Sequence, residues 1–357
     1  RRVIITCPTA MSQKEREALV HCAEDANYLF STYHQYDQRI EVYPQINKDA
    51  DDTPYWYYDE ATCSQLVYMY SEIGQKYNGF CEEFFNLYGK KAAGTRPTLT
   101  VGSLDIGAGT SDLMICKYTY EQDRITKVIP EPLFYDSYYF AGDDMLYDLI
   151  NGLLFYSDEG SFRKKLADLD EHAYRQKLRD FFGPNYAGQT IRQRNLRRNF
   201  NLQYTVPLMY HLLSLLSEER RDCNVRYEDL FPSAEQEPNE SVQRGFEEFF
   251  GFSMRELSWE FSGQQIYDIV SKSFEPLLKI ISSIAYSTGC DIFLLSGRPA
   301  SLAPIRDIFL KYYPLSPNRL ILLNNYNVGY WYPFGSNTGY ITNPKTVVAV
   351  GGLIGFY

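Results

Sequence analysis

The chain has 357 residues, a formal net charge of -10 and 16% aromatic residues, among them 32 tyrosines; it is too long for a stapled peptide and too rich in rings for a disordered tail. At roughly 100 to 200 residues per domain, the length predicts two domains with cores of their own. The acidic balance argues against a nucleic-acid role, because binding the phosphate backbone calls for a positive field.

The one basic run, "RQRNLRR" at 192 to 198, reads as a solvated helix face. Seven cysteines (Cys7, Cys22, Cys63, Cys81, Cys116, Cys223 and Cys290) are scattered without metal-site spacing, which predicts reduced, mostly buried thiols in a cytoplasmic protein. No apolar run is long enough to span a bilayer. The start, "RRVIITCPTA", is neither a signal peptide nor an initiator methionine, so the chain reads as a piece of something longer.

In chain order, Val3 to Thr6 is predicted to form a buried strand stopped by Pro8, followed by a helix through "MSQKEREALVHCAEDA" with Ser12 as its cap. A second helix is predicted to begin near Asp59, and helical pattern continues through "FCEEFFNLYGKK" to a linker at 92 to 97. The period then changes: "TLTVGSLDIG" alternates, breaks at Gly102 and resumes, and "DLMICKYTY" suits a covered strand, so the two form a hairpin. Residues 151 to 255 are richer in charge and helix formers, with one amphipathic stretch at 161 to 182, and read as an inserted helical subdomain. A helix through "IYDIVSKSFEPLLKIISSIAY" precedes a strand, tight turn and helix in "DIFLLSGRPASLAPIRDIFLKYY".

The hairpin turn "SLDIGAGTSDL" carries the first chemistry. Gly107 and Gly109 can take positive φ without a Cβ clash, which lets successive backbone N–H groups converge on an anion. Thr110 and Ser111 add hydroxyl donors, while Asp105 needs a divalent cation between itself and a phosphate. A plain surface hairpin with Asp105 and Asp112 in solvent fits the same residues. In the second turn, "SGRPAS" at 296 to 301, Gly297 would let a ring or ribose approach the backbone and Arg298 could stack on a base or touch a phosphate. Routine strand-to-helix connections have the same composition.

The order of these segments resembles the nucleotide domain of DnaK-type heat-shock chaperones. "VIITCPTAMSQKEREAL" and "DEAT" are similar to a strand and helix starts of their first lobe, "LDIGAGTSD" to their phosphate hairpin, and "FAGDDMLYDLI" to their Gly-Gly-x-Asp helix start. "FEPLLKII" and "LLSGRPASLAPI" resemble their adenosine segment, and "NPKTVVAVGGLIGFY" their closing helix. The resemblance covers nearly the whole chain and implies an α/β, actin-like, ribonuclease H-like fold. Lobe I would be partial (1–97), lobe II would comprise 98–150 and 256–330, 151–255 would be the insert, and 331–357 would return to lobe I. Within that superfamily the chain most resembles the virulence factor SrfB family of large bacterial proteins.

The resemblance implies an ATPase that binds ATP with Mg²⁺ and switches conformation on binding or slow hydrolysis. Asp105 would hold the metal through water, and Gly107, Ala108, Gly109, Thr110 and Ser111 would grip phosphate. Glu60 would be the catalytic carboxylate near the attacking water; as a charged residue in a first helical turn it also suits the helix dipole. Gly142 and Asp143 would lie beside sugar and phosphates, and Ser296, Gly297 and Arg298 beside the adenosine. The chaperones' first phosphate hairpin and catalytic lysine have no counterpart here, so nucleotide binding by this chain is expected to be weak or absent and hydrolysis inactive. Ala108 replaces their middle glycine, and no adenine-sandwiching residues match around 192 to 215. Two other readings stay open: a non-catalytic interaction module using the Tyr clusters at 54 to 60 and 326 to 334, and a sugar or acyl kinase of the same superfamily.

Overall fold

The computed structural model describes residues 2–9, 11–35, 40–45, 58–122, 126–155, 160–183, 188–216 and 222–356. The first elements are β1 (Arg2–Ile4), α1 (Gln13–Tyr33), β2 (Glu41–Tyr43), α2 (Glu60–Tyr70), α3 (Cys81–Tyr88), β3 (Leu99–Ile106), β4 (Ser111–Gln122) and β5 (Thr126–Tyr138). Helices α4 (Gly142–Leu149), α5 (Ser161–Lys165), α6 (Glu171–Phe182), α7 (Ile191–Phe200) and α8 (Val206–Leu216) follow, then β6 (Cys223–Arg226), α9 (Tyr227–Leu230) and α10 (Glu240–Phe250). The last are β7 (Ser258–Phe261), α11 (Gly263–Ser287), β8 (Ile292–Ser296), α12 (Ala303–Tyr312), β9 (Leu320–Leu322) and α13 (Lys345–Phe356). They divide into two units: Arg1–Gly142 with Leu277–Ser301 and Phe309–Tyr357, and Asp143–Pro276 with Leu302–Ile308. Among the described residues no helix is long and apolar enough to cross a membrane.

The first unit is built on a mixed sheet of order β5-β4-β3-β8-β9. Strand β3 is its hinge of direction, antiparallel to β4 and parallel to β8. The run "IFLLS" of β8 is buried throughout, as expected for a parallel strand covered on both faces. Helix α2 covers one face, anchored by the buried Gln65 amide. That amide donates to Ser103 Oγ (2.8 Å) and the Met114 carbonyl (3.2 Å) and accepts from the Tyr118 hydroxyl (2.7 Å), so a polar side chain inside the core is fully partnered. Helix α13 lies against α2 so closely that a Cβ on Gly351 would stand 1.9 Å from the Cys63 carbonyl oxygen. On the opposite face of the sheet, Phe293 meets Phe309 of α12 with ring centroids 4.4 Å apart.

Several sequence expectations are met here. Ser12 caps α1 in a reciprocal capping box with Glu15, and α2 begins one residue after its N-cap, Asp59. The hairpin of β3 and β4 forms with Ile106 opposite Ser111. Other expectations need correction. Strand β1 covers Arg2–Ile4, and Val3 is exposed rather than buried, because β1 pairs only with the short parallel strand β2. Gly102 does not break β3; it pairs with Ile115 inside a continuous strand, and its missing Cβ leaves room for the Phe293 ring, which would lie 2.5 Å away. Strand β5 was not foreseen, because Pro130 and Pro132 argue against a central strand; the structure places it at the sheet edge, with those prolines opposite Tyr118 and Cys116.

The second unit packs its helices around phenylalanine rings. Phe162 lies 5.3 Å from Phe250 and 5.6 Å from Trp259 between ring centroids, and Phe200 stacks on Phe246 at 5.2 Å. Trp259 Nε1 donates to the Tyr204 hydroxyl at 3.0 Å, which satisfies the polar edge of a buried indole. The stretch 161 to 182, expected as one amphipathic helix, is two: α5 ends before Leu166, and Asp170 starts α6 by accepting from the Ala173 N–H at 2.8 Å. The basic run lies on α7 with Arg192, Arg194 and Arg198 exposed, and Arg192 pairs with Glu248 at 3.3 Å. Of the cysteines, Cys7, Cys63, Cys81, Cys116 and Cys290 are buried free thiols and Cys22 is exposed.

Candidate functional site

The residues singled out in the sequence gather mainly at the carboxyl ends of β3 and β8, within the first unit. Strand β3 ends at Asp105 and Ile106, and β4 starts with Ser111 and Asp112, so that Asp105 stands opposite Asp112. The four residues between, Gly107 to Thr110, form a turn closed by the Gly107 N–H donating to the Thr110 carbonyl at 2.9 Å. Neither Gly107 nor Gly109 takes the left-handed φ expected of them. Gly107 is instead favoured by space, since a Cβ would crowd the Thr110 carbonyl oxygen at 3.0 Å, while a Cβ on Gly109 would meet nothing within 4 Å. Ala108 and Gly109 are exposed at the tip. The two hydroxyls are engaged inside the chain: Ser111 is buried and donates to the Phe140 carbonyl at 2.7 Å, and Thr110 donates to Asp112 Oδ2 at 3.3 Å.

Two distant segments close on this hairpin. The Gly142 N–H donates to the Gly107 carbonyl at 3.1 Å, and a Cβ on Gly142 would stand 3.1 Å from that oxygen and 3.2 Å from Pro299 Cγ. Hairpin, helix start and the turn after β8 therefore meet at one point. Asp143, the next residue of α4, is exposed and belongs to the second unit.

In the turn after β8, Gly297 has φ +85°, and a Cβ there would lie 2.0 Å from the Ile106 carbonyl oxygen and 2.9 Å from Asp105 Oδ1. Only glycine fits such a conformation and approach. Asn324, two residues beyond β9, donates through Nδ2 to the Gly297 carbonyl at 2.5 Å, while its enclosed Oδ1 has no hydrogen-bond partner. Ser296 pairs in register with Asp105, so it faces the acidic end of the hairpin. Arg298 is exposed, and its carbonyl accepts the Ser301 hydroxyl at 2.7 Å.

Carboxylates line the same rim. Asp59 caps α2 by accepting from the Thr62 N–H at 2.9 Å and the Thr9 hydroxyl at 3.2 Å, which puts Glu60 in the first turn of the helix. Burial raises the Glu60 carboxyl above the usual range, and the charges of Asp105, Asp112 and Asp59 raise it further. Burial also raises Asp105; the neighbouring Ser296 hydroxyl counters this and the charge of Asp112 adds to it. Acids from α2, β3 and β4 thus repel one another across one small region. Among the described residues no group of three or more His, Cys, Asp or Glu side chains is arranged to hold a metal ion directly. A hard cation held through its waters and through phosphate oxygens suits such a set better than a bare protein cage. The unpartnered Ser296 hydroxyl and the bare backbone of the turns fit that use as well.

Asp112 is a second carboxylate of the turn with no assigned role in the sequence pattern, and Asn324 lies outside the sequence motifs. The signal for Asn324 was available in "LILLNN", where an apolar strand ends in amides beside the ligand-facing edge of a parallel sheet. Of the two Tyr clusters, residues 54 to 57 lie outside the described residues, and in the other Tyr326 and Tyr332 are buried while Tyr330 and Phe334 are exposed.

A family model described as virulence factor SrfB matches residues 1–356 of the chain. No curated protein matches it.

Proposed function

The chain belongs to the virulence factor SrfB family, and on that premise we propose that it is the nucleotide-binding part of an actin-like, DnaK-type ATPase that binds ATP with Mg²⁺ and switches conformation on binding or slow hydrolysis. The observation that carries this reading is the meeting of Gly107, Gly142 and Pro299 beside Glu60, Asp105 and Asp112. Three segments far apart in sequence converge where the carboxyl ends of parallel strands open, which is where α/β folds hold ligands.

In this reading the N–H groups of Ala108, Gly109 and Thr110 take phosphate oxygens, the Gly107 N–H being spent on the Thr110 carbonyl, and Gly142 borders the sugar and phosphates. Asp105, with Asp112 beside it, grips the waters of Mg²⁺, whose chemistry is to neutralise charge on the phosphates. Glu60, with its carboxyl raised by burial and by like charges, is suited to accept a proton from an attacking water. In the turn after β8, Gly297 offers a bare backbone to the nucleoside, with Arg298 exposed beside it. Six free thiols among the described residues support a reducing, cytoplasmic setting. The second reading, a non-catalytic interaction module, is supported by the exposure of Tyr330 (89%) and Phe334 (52%).

Calorimetric titration of Mg-ATP into the wild-type protein and Asp105→Ala tests the proposal. Weak saturable binding, abolished in Asp105→Ala, is the expected result. No binding by either protein, or equal binding by both, would turn the reading to the interaction module or to a different site.

A further inference from the structure

Ser296 is the last residue of β8 and stands in register beside Asp105 of β3. Paired residues of adjacent strands project to the same face of a sheet, so the hydroxyl and the carboxylate share the face covered by α2. Ser296 is 4% exposed; its enclosed Oγ makes no hydrogen bond of ordinary geometry, yet it bears on the Asp105 carboxyl and favours its charged form. A buried hydroxyl left in that state calls for an explanation. The Asp105 carboxylate is meanwhile pressed against the same turn, since Oδ1 lies where a Gly297 Cβ would come within 2.9 Å. The turn cannot give way easily, because Asn324 holds the Gly297 carbonyl and the Ile106 carbonyl oxygen fills the space on the other side.

We propose that Ser296 is a positioning residue for Asp105: its hydroxyl donates to one carboxylate oxygen and leaves the other to face the waters of a bound cation. The inference rests on the reading of Asp105 as the cation's carboxylate. Ser296 touches neither nucleotide nor metal; it acts through Asp105.

The test uses Mn²⁺ as the spectroscopic probe, its affinity measured by electron paramagnetic resonance in the presence of saturating ATP. A hydrogen bond to a charged group predicts that Ser296→Ala binds Mn²⁺ on the order of 10-fold more weakly. ATP affinity measured in a chelator should stay as in wild type, and Ser296→Thr, which keeps the hydroxyl, should recover Mn²⁺ affinity. Mn²⁺ affinity of Ser296→Ala within twofold of wild type would overturn the inference. So would a matching loss of metal-free ATP affinity, because that would mean a distorted turn. Wild-type protein that takes up no Mn²⁺ with ATP would defeat the cation reading itself, and this inference with it.

Discussion

Replacing Gly297 with alanine probes the tightest point of the candidate site. Two costs add. A residue with a Cβ at φ +85° carries about 1–2 kcal/mol of left-handed strain. The new methyl would also stand 2.0 Å from the Ile106 carbonyl oxygen and 2.9 Å from Asp105 Oδ1. The first of these is backbone of the central strand and cannot swing aside, so relief requires a shift of β3 or of the turn, at about 1–3 kcal/mol for overpacking. The expected destabilisation is therefore about 2–5 kcal/mol. Gly109→Ala is the matched control, since its Cβ meets nothing within 4 Å and no left-handed φ is involved; its stability should change by less than about 1 kcal/mol. Urea unfolding followed by circular dichroism and by tryptophan fluorescence, which samples Trp331 in the first unit and Trp259 in the second, gives both midpoints. Equal midpoints for the two variants would refute the claim that Gly297 is fixed by β3.

The carboxylates set a pH dependence. Because the carboxyls of Asp105 and Glu60 are raised in the folded protein, the native state binds more protons than the unfolded chain, and stability falls as pH rises from the ordinary values of 3.8 and 4.5 through the raised ones. Asp105→Asn should remove part of that slope and raise the thermal midpoint at pH 7; an unchanged slope would show that burial does not hold this carboxyl above its ordinary range. Gly102→Ala should lose about 1–3 kcal/mol through contact with the Phe293 ring, and Phe293→Leu should be less harmful in that background than alone, as a double-mutant cycle would measure. Asp59→Ala should cost about 1 kcal/mol by removing the cap of α2, with Asp59→Asn retaining most of it in thermal unfolding.

What the sequence made legible was local. The cap of α1 at Ser12, the β3–β4 hairpin and the strand-turn-helix from β8 to α12 are each encoded within about two dozen residues by period and turn chemistry. What stayed hidden depends on partners far along the chain. The need for glycine at 102 is a ring at Phe293, and the need at 351 is the backbone of Cys63; neither partner can be inferred from neighbours in sequence. Strand β5 was hidden for a different reason. Its prolines break the propensity rule, and only its place at an edge makes them acceptable.

The site shows the same division, and its glycines separate two kinds of constraint. Gly107, Gly142 and Gly297 are each explained by the chain itself, because a Cβ would press on a backbone oxygen of the hairpin or of β3. Gly109 is not: it has no left-handed φ and no neighbour in reach of a Cβ, and it sits exposed at the hairpin tip. Folding alone would accept alanine there, as it accepts Ala108 next to it. The same bare backbone is what a phosphate needs for close approach to N–H groups. If Gly109→Ala keeps full stability but weakens Mg-ATP binding, the glycine answers to a ligand; if both are unchanged, the Gly109 backbone plays no part in binding and the phosphate grip must come from the N–H groups on either side of it, at Ala108 and Thr110.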